Sequence, residues 1–285
     1  MATPTLASPQ AQTGNRTAWG RWGTRGLAMS YLLMMIVIPL IVIVQDGLRN
    51  GLEGVWKAIT QPVAASALGL TLWTGALMAV VNGVMGLITA HVLVRYRFPG
   101  KSVFNAIIDL PLAIPTLVTG VMLVVLYGPQ TVLGSWLDRA LGLRIIFAPP
   151  GIILALLFIT FPSVVRTVQP VLLGLEREQE EAAATLGAGN WTIFRRVVFP
   201  EVAMSLFSGM LLSFARAIGE FGAIVIVAGN IPLRTKTIAV YVLGEVESEN
   251  RLAASAVSVV MLAISFGMVL LVDRIQKRHG KRTVT

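Results

Sequence analysis

The sequence predicts an all-α integral membrane protein with six transmembrane helices, and three observations carry that prediction. Apolar runs near twenty residues long recur along the 285-residue chain, and about twenty apolar residues in helix cross the hydrocarbon core of a bilayer. Hydrophobic side chains make up 55% of the chain and charged ones only 13%, against about 45–50% and about 25% in soluble domains. Mean hydropathy is +0.76. The 14 prolines and 27 glycines fit the same class, because membrane helices tolerate both better than soluble helices do.

The first span reads as Leu27–Val44. A polar segment carrying Arg16, Arg21 and Arg25 precedes it and no small-residue cleavage site follows, which predicts an uncleaved span rather than a signal peptide. The second span is expected at Ala65–Val94 and the third at Val103–Tyr127, where Pro111 and Pro115 should introduce a kink. In the next loop, "VLGSWLDRALGL" sets Leu133, Trp136, Leu137, Ala140 and Leu141 at helical spacing, predicting a short helix in the membrane interface. The fourth, fifth and sixth spans are expected at Pro150–Leu173, Val202–Gly229 and Leu252–Val272. This divides the chain into a tail at 1–26, a membrane domain at 27–273 with a polar insert at 174–200, and a basic tail at 274–285.

Lys and Arg fix the orientation. Fourteen of the 23 fall in the N-terminus, the 95–101 loop, the insert and the C-terminal tail, against seven in the alternate loops. That bias predicts both termini and the insert on the cytoplasmic side. The net charge of +9 is then explained by cytoplasmic loops facing membrane lipid. No basic stretch is interleaved with the stacking aromatics that single-stranded nucleic acid requires, so nucleic acid is not an expected partner. The chain has no cysteine, which excludes disulfides, thiolate metal sites and thiol nucleophiles.

The insert "EEAAATLGAGNWTIFRRVVFP" (180–200) is the most structured polar stretch. Helix formers run from Glu176 to Leu186, with acids near the positive end of the helix dipole. Gly187 stands where a glycine closes a helix, and Asn190 is placed to cap a second short helix bearing Trp191, Phe194, Val197 and Val198. Pro200 suits the first turn of the fifth span. Two readings stand on these residues: a docking element for a partner, or a loop helix packed beneath its own bundle.

This insert resembles the cytoplasmic loop of permease subunits in binding-protein-dependent ABC importers. That loop reads E-A-A, three residues, G, nine residues, an aliphatic residue, any residue, an apolar residue and P. Glu181, Ala182, Ala183, Gly187, Val197, Phe199 and Pro200 stand at those spacings. Ile and Leu are common in the family where this chain has Val197 and Phe199, which keep the apolar character. The stretches "FPSVVRTVQPVL", "FARAIGEFGA" and "AGNIPLRTKT" resemble the sulfate/thiosulfate permeases, most of all their T-type subunit, over about residues 65–272. Molybdate permeases are similar in the "RAxGEFGA" stretch.

The resemblance implies a MetI-like permease fold in the bacterial inner membrane. It implies a second, W-type permease subunit completing a heterodimeric pathway, two ATPase subunits that grip the loops, and an extracytoplasmic sulfate-binding protein. ATP and Mg would belong to the ATPase partners, leaving this chain with no cofactor and no catalytic or metal site of its own. "PGKS" (99–102) imitates the end of a nucleotide-binding loop, but Arg95 stands where its first glycine belongs and no strand precedes it.

Arg166, Arg216, Glu220 and Asp109 fall at membrane depth, where an unpaired Arg costs about 2.5–3.5 kcal/mol on insertion scales. Arg216 and Glu220 are four apart and either pair on one helix or face a cavity through which an anion passes. Arg166 can reach the headgroups or Asp109, and Arg166 and Asp109 stand with Arg216 and Glu220 as candidates for the translocation pathway. Ser205, Gly209, Ser213 and Ala217 form a small-residue ridge for close helix packing. His91 belongs at an inner boundary, and Glu245, Glu247 and Glu249 on a solvated outer face. An integral-membrane transferase is disfavoured because the spans show no paired catalytic carboxylates, no His–metal spacing and no nucleophile–base set. A secondary transporter is disfavoured by the lack of matching broken helices in two halves.

Overall fold

The computed structural model describes residues 18–280; Arg16, Lys281 and Arg282 lie outside the described residues. The chain divides between Gln45 and Asp46 into two compact units. The first holds α1 (Ala18–Leu32) and most of α2 (Ile38–Gly47), joined by a π turn at Leu33–Val37. Together they supply an apolar span at Gly23–Gly47. The π turn has a chemical origin. Pro39 lacks an N–H and its ring crowds the carbonyl four residues back, so the preceding turn widens and the Ile38 N–H donates to the Leu33 carbonyl.

The second unit begins with α3 (Gly51–Thr60) and α4 (Pro62–Arg95), then α5 (Lys101–Ala113) and α6 (Thr116–Tyr127). After these come α7 (Val132–Leu141), α8 (Pro149–Gly174), α9 (Arg177–Thr185) and α10 (Asn190–Ile193). A second π turn, Phe194–Val198, leads into α11 (Phe199–Ile218), followed by α12 (Gly222–Ala228), α13 (Ile238–Glu247) and α14 (Arg251–Gly280). Among the described residues five helices are long and apolar enough to cross a membrane, and the bent α5–α6 pair brings the number to six when it is counted as one span.

The centre of this unit is α4, α8 and α11 packed on one another. Gly86 of α4 lies against Val164 of α8, so close that an added Cβ would sit 2.7 Å from its Cγ1. Gly209 of α11 meets the same turn of α8, with Val164 Cα at 3.2 Å from a would-be Cβ. The small-residue ridge on α11 therefore faces α8, and Ser213 Oγ donates to the Thr160 carbonyl at 3.4 Å. Asn82 of α4 crosses to α8 as well, donating to Thr160 Oγ1 at 2.9 Å and to the Leu157 carbonyl at 3.1 Å.

Four features depart from the sequence expectations. The third span does not merely kink; its halves meet at 108°. Pro115 causes this by driving Ile114 into extended backbone (φ −84°, ψ 129°), whereas Pro111 sits inside α5 without breaking it. The fifth span ends at Ile218 rather than Gly229, and α12 is a separate short helix packed on α6 and α8. Helices α3 and α13 occupy stretches expected as loop. Lastly, Asn190 does not cap a separate helix. It opens a helix that runs through the second π turn into α11 as one 29-residue rod, Asn190–Ile218. Pro200 widens the turn before it as Pro39 does, with the Phe199 N–H donating to the Phe194 carbonyl. The interfacial helix α7 forms where expected, capped by Thr131 Oγ1 accepting from the Gly134 N–H at 3.1 Å.

Because the α4–α8 approach depends on Gly86, Gly86→Leu should destabilise the bundle by about 1–3 kcal/mol. Gly69→Leu, where a Cβ meets nothing within 4 Å, should stay within about 0.5 kcal/mol of the parent. Unfolding in mixed micelles, followed by circular dichroism, separates the two.

Candidate functional site: the α9–α11 insert

The insert is built from its backbone outward. Helix α9 ends in a Schellman closure: the Gly187 N–H donates to the Ala184 carbonyl at 2.9 Å and the Ala188 N–H to the Ala183 carbonyl at 3.1 Å. That closure needs a left-handed residue, and Gly187 supplies it at φ +82°. The fixed interval between Ala183 and Gly187 thus measures the last turn of a helix. Past this corner the chain turns into the α10–α11 rod. Glu181 and Ala182 are exposed on α9 and Ala183 is half-buried. At the corner Leu186 is 89% exposed, and Trp191 on the next helix is 71% exposed while stacking on Phe194 at 5.7 Å. Phe199 and Pro200 are exposed and Val197 half-buried.

Both ends of the insert are rooted in one apolar cluster. Leu175 and Val198 pack with Leu93 of α4 and with Val168 and Leu172 of α8. A polar clasp adds to this: Arg95, at the last turn of α4, pairs with Glu180 of α9. The Arg95 side chain is 10% exposed, and the Arg177 guanidinium returns a hydrogen bond to the Arg95 carbonyl at 3.3 Å. A polar cavity of 320 Å³ lies beside the clasp, lined among others by His91, Arg95, Glu181 and Asn190. Charge in the 95–101 loop was legible in the sequence, but the Arg95–Glu180 pair was not, since 85 residues separate its members.

The intramembrane charges sort into satisfied and unsatisfied. Arg166 of α8 binds Asp109 of α5 through Nε at 2.7 Å and Nη2 at 2.6 Å. Its remaining donors go to the Asn105 side chain and carbonyl and to Gln169. Glu220 is 7% exposed, and its Oε1 accepts from the Ala223 N–H at 3.2 Å. That places a carboxylate at the start of α12, where the helix dipole favours it. The Arg216–Glu220 pair does not form among the described residues; Glu220 is engaged by the backbone instead. Arg216 is exposed and takes part in no hydrogen bond or ion pair among the described residues.

The chain is thus a multi-span helical bundle with an insert rooted in its core between the fourth and fifth spans. The chain belongs to the family described as the inner membrane component of binding-protein-dependent transport systems, matched over residues 82–284. Membership implies a partner permease, ATPase subunits and a binding protein, and makes this chain a transport subunit rather than an enzyme. The chain is 40% identical over 255 residues to the sulfate transport system permease protein CysT of Synechocystis sp., covering 88% of this chain and 87% of that one. It is 38% identical over 259 residues to CysT of Escherichia coli (strain K12), covering 91% and 93%. In fold it is similar to a chain of the bacterial alginate ABC transporter crystallised with its alginate pentasaccharide-bound periplasmic protein. There the TM-score is 0.75 at 15% identity, covering 91% and 94%.

If the clasp holds α9 to α4, Arg95→Ala and Glu180→Ala should not be additive. A double-mutant cycle on thermal stability should give a coupling of about 2 kcal/mol. A cycle that sums to zero would remove the clasp from the account.

Proposed function

We propose that this chain is the T-type permease subunit of an ATP-driven importer of sulfate and thiosulfate. Similarity to CysT subunits along about nine-tenths of the chain supports the substrate. The observation that carries the mechanism is the Schellman-closed α9, clasped to α4 by Arg95 and Glu180 and continuous through its second arm with α11.

In this reading both termini and the insert lie in the cytoplasm, as the Lys and Arg asymmetry favours. Two ATPase subunits, holding ATP and Mg, grip this insert and that of a W-type permease partner, and an extracytoplasmic sulfate-binding protein delivers the anion. Leu186 offers an apolar contact, while Ala182, Ala183 and Ala184 have no bulk and let a partner backbone approach. Closure of the ATPases displaces the corner at Gly187. The α10–α11 rod passes that displacement into the membrane, because a continuous helix transmits what a flexible loop would absorb. The bundle then moves between two packings that nucleotide and the loaded binding protein bias in turn.

Arg216 lines the path of the anion. It lies sixteen residues beyond Pro200, about 24 Å along the helix, and an unpaired guanidinium facing lipid at such depth is costly. A water-filled passage shared with the partner permease relieves that cost. Arg166 is already saturated by Asp109, Asn105 and Gln169 and serves to tie α5 to α8.

Uptake of labelled sulfate by cells lacking the gene tests the substrate, since it should fall to background and return with the wild-type chain. Gly187→Val, which forces a β-branched residue into the left-handed region, should lower uptake about tenfold or more and loosen the ATPase in a pull-down. Arg216→Gln should lower uptake with the assembly intact. Restored molybdate but not sulfate uptake would reassign the substrate, and accumulation by vesicles holding this chain alone would end the coupling reading.

A further inference from the structure

Between α4 and α11 runs an apolar groove of 840 Å³ that no step above employs. Val84 and Ile88 of α4 form one wall, and Met210 and Phe199 of α11 the other. Its long axis follows α4 from Val80 to the helix end at Arg95, about 22 Å at 1.5 Å per residue. One bilayer leaflet with its headgroup layer measures about 20 Å. The groove therefore has the length of a single leaflet, and it ends at the level of the insert.

The mouth differs chemically from the walls. Tyr96, Arg97 and Trp191 line it, and both rings are exposed. Amphipathic rings of this kind settle at the headgroup level of a membrane. Arg97 is exposed and, unlike its neighbour Arg95, forms no hydrogen bond or ion pair among the described residues. A cation thus stands at the end of a channel with walls suited to hydrocarbon.

We propose that this groove binds one anionic phospholipid, an acyl chain lying between α4 and α11 and the phosphate on Arg97. Inside a bilayer an apolar groove gains nothing from excluding water, because lipid tails are as apolar as its walls. Selectivity must come from the mouth, and a lone guanidinium there selects negative headgroups. A helix from another chain would also fill the walls, but it would have to bring its own acid to Arg97 and has no use for a collar of Tyr96 and Trp191. Phe199 lies in the wall and Trp191 at the mouth, and both belong to the second arm of the insert, so the occupant lies against the root of the coupling element. The proposal is independent of which anion is carried.

The assembled transporter, purified through a tag on this chain and exchanged into nanodiscs of equal phosphatidylethanolamine and phosphatidylglycerol, tests it by mass spectrometry of the retained lipid. Phosphatidylglycerol should be enriched. Arg97→Gln should cut that preference about fivefold, and Val84→Trp should expel the lipid with subunit stoichiometry unchanged. Equal retention of phosphatidylglycerol by parent and Arg97→Gln overturns the proposal. Because the chain has no cysteine, Val84→Cys also introduces a single thiol into it. Quenching by brominated phospholipid of a fluorophore carried on that thiol supports a lipid-filled groove. Cross-linking of the same thiol to a second permease chain would make the groove a protein interface and overturn the proposal.

Discussion

A membrane bundle can be driven from its surface only through a segment that moves its neighbours before it bends, and the 175–200 insert meets that constraint at three levels. Its corner is closed by backbone hydrogen bonds that only a left-handed residue permits, at Gly187. Its first arm is clasped to α4 through Arg95 and Glu180. Its second arm is the start of α11, and α11 packs on α4, α8 and α14. Displacement of one exposed turn therefore reaches the centre of the bundle without crossing a flexible joint.

The same constraint explains the packing at the centre. Without a hydrophobic drive between helices in lipid, close contact has to come from small residues and interhelical hydrogen bonds. Gly86 and Gly209 both bring their helices onto the turn of α8 at Val164. One α-helical turn above, Asn82 and Ser213 bind to Thr160 and its carbonyl. Three helices thus meet at two adjacent turns of α8, where the closest approaches and the interhelical hydrogen bonds concentrate.

Legibility in the sequence tracked the range of the interactions. The insert could be read because its grammar is local: acids, alanines and a glycine at a helix end fix their own geometry within a few residues. Helix α7 was legible for the same reason, through its apolar stripe. The 108° bend in the third span was signalled by Pro115 but not its size, which depends on α6 finding α12 to pack against. The break after Ile218 carries no proline, and just beyond it lies a contact over a hundred residues distant: Gly222 fits so tightly on Thr116 that a Cβ would lie 2.3 Å from its Oγ1. The Arg95–Glu180 clasp joins two residues whose spacing has no helical or strand period. Pairings of that kind follow from the fold and cannot precede it.

The disposition of charge within the spans bears on how an anion crosses. A deep positive well would hold a dianion rather than release it, so a pathway is better served by few unsatisfied cations than by many. The chain follows that rule. Arg166 is fully occupied by α5 and its own helix, and the Glu220 carboxylate is turned onto the start of α12. Only four residues from that carboxylate, Arg216 is left without an acid. Had Arg216 and Glu220 paired, the guanidinium would be neutralised, and an anion in the proposed passage would meet only dipoles and apolar walls there. In the proposed passage, with Glu220 held by the backbone, Arg216 would attract the anion while the nearby carboxylate limits how strongly it binds. Arg216 stands on α11 and Glu220 in the break before α12, so the interruption that shortens the fifth span also puts the two charges on different elements.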